Sequence, residues 1–96
     1  MKETVLVTAQ AREGAFDDLV TEMRTIVENA KDNPGCLGVE LLLSKDRNEI
    51  AIYAHWQSAE ALNDFLVWRS EQPDFGQSAE FMVGEPNIRS YTLLPL

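Results

Sequence analysis

The sequence has 96 residues, of which 45% are hydrophobic and 25% charged, and this composition predicts one globular domain over residues 1–96. The formal net charge is −8, from 16 acidic and 8 basic residues. Because such a charge repels phosphate groups and anionic lipids, we expect neither nucleic acid nor a membrane as a partner.

The chain contains a single cysteine, Cys36, which excludes an intramolecular disulfide and fits a reducing compartment. The opening stretch MKETVLVTAQARE lacks the apolar segment that is typical of a signal peptide. No apolar run approaches the ~20 residues that span a bilayer. The sequence therefore predicts a cytoplasmic protein.

The first third of the chain predicts a strand followed by a helix. Thr4–Ala11 is rich in β-branched residues, as strands are. From Phe16 to Ala30, hydrophobic residues recur at the i, i+3, i+4, i+7 spacing of an amphipathic helix. The turn Asp32–Gly35 ends this helix, because Pro34 disfavours a helical residue before it.

Three further strands are predicted. Cys36–Ser44 and Glu49–Trp56 are joined by the polar stretch KDRN, which suits a hairpin loop. Asn87–Leu94 is the last strand.

A second helix is expected between the third and the last strand. Ser58 is a suitable N-cap, and we expect the helix to end by Gln72, before Pro73. Residues 74–83 predict a further short helical segment. The predicted buried stripe of the second helix consists of Ala59, Leu62, Phe65 and Leu66.

The order β-α-β-β-α-β predicts a ferredoxin-like α+β fold, with an antiparallel sheet and both helices on one face. By alternation, Trp56 faces the helices together with Ile52, whereas Tyr53 and His55 face the other side. Neither side of the sheet is clearly polar. Because an uncovered apolar face needs a partner, we expect a homodimer with the two sheets packed face to face.

Two stretches, NPGCLGVELLLSKDRNEIAIYAHWQSAEALNDF and FMVGEPNIRSYTLLPL, resemble the antibiotic biosynthesis monooxygenase family, a dimeric α/β-barrel group. The resemblance implies a ferredoxin-like fold and a homodimer. It also implies one of three activities: cofactor-independent oxygenation of anthrones or quinols, haem degradation, or action on a phosphorylated signalling molecule.

The stretch YAHW is similar to the anthrone-oxidising branch, in which a tyrosine and a tryptophan occupy the positions of Tyr53 and Trp56. That branch also has an asparagine where this chain has Ile52 and a tyrosine where it has Leu62.

The other branches match at fewer polar positions. Haem-degrading members need an asparagine and a histidine where this chain has Val7 and Ala79. Many quinol-oxidising members have histidines at the positions of Phe65 and Asp74. The resemblance therefore disfavours haem breakdown.

Oxygenation without a cofactor requires an apolar pocket and a group that accepts a proton or stabilises the substrate anion. The catalytic candidates are Trp56, Tyr53 and His55. The candidate substrate-binding residues are Ile52, Phe65, Trp68, Arg69, Phe81 and Met82.

Each candidate also has a structural interpretation. Trp56 suits an ordinary core equally well, and His55 suits the dimer interface better than catalysis. Arg69 is expected mainly as a solvated arginine, although it could stabilise a phenolate. Asp74 and Glu80 could accept a proton, but the sequence shows no partner for them.

The leading hypothesis is a cofactor-independent monooxygenase that uses dioxygen to oxidise a hydroxylated aromatic such as an anthrone or a quinol. The alternatives are a non-catalytic dimeric domain that binds a small molecule, and an isomerase or lyase acting on a small metabolite. No metal site or cofactor is predicted, because one histidine, one cysteine and scattered acids do not form a ligand set.

Overall fold

The computed structural model describes all 96 residues, Met1–Leu96, with elements in the order βαββαβ. A 3₁₀ helix, Gln77–Phe81, precedes the last strand. The strands and helices are β1 (Glu3–Gln10), α1 (Phe16–Lys31), β2 (Cys36–Ser44), β3 (Glu49–Trp56), α2 (Ala59–Ser70) and β4 (Asn87–Thr92). The predicted ferredoxin-like α+β fold is confirmed.

The four strands form one antiparallel sheet in the order β2-β3-β1-β4. Two strands, β1 and β4, end earlier than expected. β1 stops at Gln10, and Ala11 makes only an isolated bridge to Met82. β4 stops at Thr92, because Thr92 pairs with Glu3, the first residue of β1, and no strand residue lies beyond it.

The helices cover one face of the sheet and form two hydrophobic clusters with it. One cluster lies beneath α1, around the fully buried side chains of Leu19 and Ile50. The other lies beneath α2, around Trp56 and Phe65. No helix is long and apolar enough to cross a membrane.

The buried face of α2 differs from the predicted stripe. Leu62 and Phe65 are buried as expected, but Ala59 and Leu66 are exposed and Arg69 is buried instead. The buried positions therefore follow i, i+3, i+7 spacing, a narrow stripe along one line of the helix. Arg69 continues that line by one turn beyond Phe65.

A close contact joins the turn after α1 to the first turn of α2. The side chain of Asn33 accepts a hydrogen bond from the backbone N–H of Gly35 at 2.8 Å, which holds the turn. Gly35 is buried, and a Cβ at this position would lie 2.7 Å from the Cβ of Ala61. The predicted cap is present, since Ser58 Oγ accepts from Ala61 N at 3.1 Å.

The segment between α2 and β4 is attached to the end of β1. Arg12 donates from its backbone N–H to the carbonyl of Phe81 at 2.8 Å and from Nε to the carbonyl of Met82 at 2.9 Å. The backbone N–H of Val83 donates to the carbonyl of Gln10 at 2.8 Å. These three hydrogen bonds fix the position of residues 81–83 relative to the end of β1.

Candidate functional site

An apolar cavity of about 70 Å³ lies between the sheet and the two helices. All 13 residues that line it are hydrophobic, and they come from every strand and both helices. Trp56 and Ile52 contribute from β3, Phe65 from α2 and Ile26 from α1. We call this space the inner cavity.

Trp56 is the largest side chain in the wall of the inner cavity. It is 1% exposed, and its ring centroid lies 5.0 Å from that of Phe65 at an interplanar angle of 36°. Its indole Nε1–H has no hydrogen-bond acceptor. Buried tryptophans ordinarily find a partner, and an unpaired buried donor costs roughly 1–3 kcal/mol. The indole N–H of Trp56 is therefore an unsatisfied buried donor in a residue that lines an apolar cavity.

A larger space of about 390 Å³, the outer cavity, lies beside the inner one. It is lined by residues of α1, the end of α2, the segment that follows α2 and the start of β4. Ile26 and Ile88 line both cavities, so the two spaces adjoin at this pair of side chains, which we call the isoleucine partition. Because Ile88 lies on the edge strand and is 57% exposed, it is the less confined half of that partition.

An ion pair lies in the wall of the outer cavity. The Arg69 guanidinium donates from Nη1 to Asp74 Oδ1 at 2.8 Å and from Nη2 to Asp74 Oδ2 at 2.9 Å. Hydrogen bonding from Arg69 holds the pKa of the Asp74 carboxyl below its ordinary value. The expectations of a solvated Arg69 and an unpaired Asp74 were both wrong.

The Arg69 side chain is buried, with 9% of its surface exposed, and its Nε–H has no acceptor. The other ionisable groups in the wall of the outer cavity are Glu22, Asp74 and Glu85. Three acidic residues and one arginine therefore line the outer cavity, whereas the inner cavity has no ionisable group in its wall.

The structure brings five of the predicted residues to these cavities. Trp56, Ile52 and Phe65 line the inner cavity, and Arg69 and Met82 line the outer one. The two groups lie on opposite sides of the isoleucine partition.

Trp68 and Phe81 lie elsewhere. Trp68 is 44% exposed and lines a surface groove that also includes Pro34 and Phe65. Phe81 is half-buried and packs against the core cluster under α1. Neither side chain lines the inner or the outer cavity.

Tyr53 and His55 lie on the face of the sheet away from the helices, as the alternation of β3 predicts. Their rings meet edge to face with centroids 4.9 Å apart. His55 Nδ1 and Thr4 Oγ1, on the neighbouring strand, form a hydrogen bond of 3.0 Å. Neither ring lines the inner or the outer cavity, so neither shares a cavity with Trp56.

Sequence reasoning missed Glu22 and Ile88 as lining residues. A signal existed for both. Glu22 lies one helical turn before Ile26, which belongs to the predicted apolar stripe of α1. Ile88 pairs with Val7 in the sheet register, so it shares the helix-facing side of the sheet. All six residues of β4 are exposed, and no helix covers this strand. The side chain of Ile88 is therefore left at the boundary between the two cavities.

Several solved structures share this fold over nearly the whole chain. Rv0793 from Mycobacterium tuberculosis is 17% identical and has a TM-score of 0.84, with 100% of this chain and 98% of that chain covered. NE2512 from Nitrosomonas europaea is 16% identical, with a TM-score of 0.82 and coverage of 99% and 91%. A variant of SnoaB, a cofactor-independent oxygenase from Streptomyces nogalater, is 17% identical, with a TM-score of 0.76 and coverage of 99% and 95%. At these identities the likeness shows the fold.

The sequence comparison adds the family. No curated protein matches the chain. The model of the family described as antibiotic biosynthesis monooxygenase matches residues 4–67, which run from β1 into α2 and include Trp56 and Phe65. Since this match spans two-thirds of the sequence, the chain belongs to the antibiotic biosynthesis monooxygenase family.

Proposed function

We propose that the protein is a cofactor-independent monooxygenase that oxidises a hydroxylated aromatic, such as an anthrone or a quinol, in the paired cavities. The observation that carries the proposal is the buried, unpaired indole N–H of Trp56, a residue that lines the apolar inner cavity. An oxygen atom of a bound aromatic would accept that hydrogen bond. The same bond strengthens as the substrate oxygen becomes an anion, so it favours the reactive state.

The reaction needs no external reductant. Dioxygen takes four electrons, and the oxidation of an anthrone CH₂ group to a carbonyl, or of a quinol to a hydroxyquinone, releases four. One oxygen atom enters the substrate, and the other leaves as water with two substrate hydrogens. The role of the protein is to hold the anion of the substrate beside dioxygen in a site that excludes water.

The sizes of the cavities determine how a ligand would enter. The outer cavity, at about 390 Å³, lies within the usual range of ligand pockets of roughly 300–1,000 Å³. The inner cavity, at about 70 Å³, is smaller than the ~150 Å³ cavity that holds benzene in another protein. A ring that reaches Trp56 must therefore displace the partition, and Ile88 is the side chain with room to move.

The site also needs a proton acceptor. Arg69 already engages Asp74, which leaves Glu22 and Glu85 as the carboxylates of the outer cavity without an ion-pair partner. We assign the role to Glu22, because it is half-buried and lies one helical turn from Ile26, which lines both cavities. His55 does not suit this role because its ring lies across the sheet.

Oxygen uptake tests the proposal. The wild-type protein is supplied with a panel of anthrones and hydroquinones in metal-chelated buffer and compared with heat-denatured protein. We expect saturable uptake above the autoxidation of each substrate, reduced at least tenfold in Trp56→Phe. Trp68→Phe, a matched tryptophan outside both cavities, should retain full activity. Equal activity of the two variants would contradict the role of Trp56.

A second candidate is a dimeric domain that binds an apolar small molecule without transforming it. The apolar wall favours it, since Ile52 and Leu62 stand where the anthrone-oxidising branch has polar side chains and both line the inner cavity. Saturable quenching of tryptophan fluorescence by an aromatic ligand, with no oxygen uptake over the whole panel, would support this candidate and reject the oxygenase. The apolar inner wall disfavours an isomerase or lyase acting on a small polar metabolite.

We also propose that the protein acts as a homodimer through the sheet face away from the helices, which we call the outer sheet face. Leu6, Leu42, Tyr53 and Tyr91 lie on this face by the strand register. The last three are exposed, so the face offers large apolar side chains to a partner. Tyr53 and His55 then serve in the interface and not in catalysis.

Sedimentation velocity tests the dimer. Leu6→Asp places a carboxylate on the outer sheet face and should shift the protein from dimer to monomer at micromolar concentration. Val67→Asp is the matched control, because Val67 is exposed on α2, on the other side of the sheet. A monomeric wild-type protein, or a dimer that persists in Leu6→Asp, would contradict the assignment.

A further inference from the structure

We propose that Arg69, positioned by Asp74, is a second hydrogen-bond donor of the pocket, which binds a neutral acceptor oxygen at the end of the ligand remote from Trp56. The inference rests on the proposed function only in that an aromatic ligand occupies the two cavities. It specifies the ligand: an uncharged, planar aromatic with oxygen atoms at two well-separated positions.

The arrangement of α2 places the two donors along one path. Phe65 packs beside Trp56 with its ring tilted, and Arg69 follows Phe65 by four residues on the same buried line of the helix. Four residues of an α-helix rise about 6 Å. A planar ring that lies along α2 therefore meets the indole at one end and the guanidinium about one turn away.

Arg69 has a donor to spare. Its Nη1 and Nη2 each donate to one oxygen of Asp74, and this two-point contact fixes the plane of the guanidinium. Of the N–H groups that do not bind Asp74, the one on Nε is buried without an acceptor. A ligand oxygen at this position would remove the desolvation cost of that unpaired group, as it would for the indole of Trp56. Asp74 thereby acts as a positioning residue, because it touches Arg69 and not the ligand oxygen.

The charges around the outer cavity select a neutral oxygen. Asp74 neutralises the guanidinium, and the two further carboxylates, Glu22 and Glu85, leave the wall negative. A ligand that carries a carboxylate, sulfonate or phosphate would be repelled there. A carbonyl or phenol oxygen accepts the Nε–H without bringing a charge.

Three matched ligands test the inference: naphthalene, 1,4-naphthoquinone and 1,4-naphthoquinone-2-sulfonate. Their dissociation constants are measured by quenching of tryptophan fluorescence. For the wild-type protein we expect the quinone to bind on the order of a hundredfold more tightly than naphthalene, about tenfold for each of the hydrogen bonds from Trp56 and Arg69. The sulfonate should bind more weakly than the quinone.

Two variants identify the donor. Arg69→Met should weaken the binding of the quinone about tenfold and leave the binding of naphthalene unchanged. Asp74→Asn should reduce the preference for the quinone over naphthalene less than Arg69→Met does. It should also improve binding of the sulfonate, because it removes one carboxylate. Arg24→Met is the control, since Arg24 is exposed on α1 and lines neither cavity. If Arg69→Met unfolds, Asp74→Asn decides, because the Asp74 side chain is 34% exposed and tolerates change.

The outcomes separate this inference from the proposed function. An equal loss for quinone and naphthalene in Arg69→Met, or no loss for either, would overturn it. Quinone preference that depends on Arg69, without oxygen uptake, would retain the donor and reject the oxygenase. Oxygen uptake without a quinone preference that depends on Arg69 would reject the donor role of Arg69 and retain the oxygenase. A wild-type protein that binds none of the three ligands would overturn this inference, and the oxygen-uptake assay would still decide the oxygenase.

Discussion

The Asp74 carboxylate accepts two parallel hydrogen bonds from Arg69, 2.8 and 2.9 Å long, across the break that Pro73 makes in the chain after α2. This contact ties the segment after α2 to the buried end of the helix and forms part of the wall of the outer cavity. The hydrogen bonds from Arg69 favour the ionised carboxylate and thereby lower the pKa of Asp74 from its ordinary 3.8.

A lowered pKa in the folded state makes the stability depend on pH in one direction. The ion pair stabilises the fold above the unfolded-state pKa, near 3.8, and its contribution is lost as pH falls through the lower folded-state value. Asp74→Asn should therefore lower the urea midpoint at pH 7, and the difference from wild type should shrink as pH falls below 3.8. Asp64→Asn, on the exposed face of α2, should change neither value. A difference that stays constant with pH would contradict the ion pair as its origin.

Trp56 should separate the cost of lost packing from that of an unpaired donor. Trp56→Ala empties the centre of the cluster beneath α2 and should cost roughly 3–5 kcal/mol of unfolding free energy, a large part of the stability of a domain. Trp56→Phe keeps an aromatic ring beside Phe65 and removes the unpaired N–H. Its cost should be below about 2 kcal/mol, because removal of the donor offsets part of the lost volume. Equilibrium urea unfolding measures both values.

Equal losses in the two variants would contradict this account. The comparison also explains why Phe and not Ala is the informative substitution in the activity assay. A variant that has lost most of its stability reports on unfolding and not on the role of the indole.

The sheet could be predicted from the sequence because burial of one face imposes a period of two on each strand. Ile50, Ile52, Ala54 and Trp56 alternate on β3, and all four are buried. The same alternation placed Tyr53 and His55 on the outer sheet face. These elements could be predicted from local sequence, since the alternation of residues along each strand shows which side faces the core.

The ion pair in the wall of the outer cavity could not be predicted, because no local pattern shows that Arg69 is buried or that it meets Asp74. Arg69 lies on a helix between exposed residues, Trp68 and Ser70, and an arginine at such a position is ordinarily solvated. Its burial depends on the direction in which the chain turns after Pro73. That direction is set by the hydrogen bonds between Arg12 and the carbonyls of Phe81 and Met82, groups about 70 residues apart.

Gly35 should be intolerant of a side chain for steric reasons alone. A Cβ there would lie 2.7 Å from the Cβ of Ala61 and 3.2 Å from Asn33 Oδ1, so the turn and the start of α2 would have to separate. We expect Gly35→Ala to cost roughly 1–3 kcal/mol in thermal or urea unfolding. Gly38→Ala is the matched control, because nothing lies within 4 Å of its added methyl group. An equally stable Gly35→Ala would show that α2 shifts freely.

The isoleucine partition should control how fast a ligand reaches Trp56. Ile88→Ala shortens the more exposed side chain of the partition and should join the two cavities. Because Ile88 is largely exposed on an edge strand, the change should cost under about 1 kcal/mol of stability. The association rate constant of 1,4-naphthoquinone, followed by stopped-flow fluorescence, should rise several-fold, since the ring no longer has to displace the side chain. Val83→Ala, an exposed apolar position outside both cavities, should leave the rate unchanged. If Ile88→Ala and Val83→Ala bind the quinone at the same rate, the ligand enters by a route that the partition does not block.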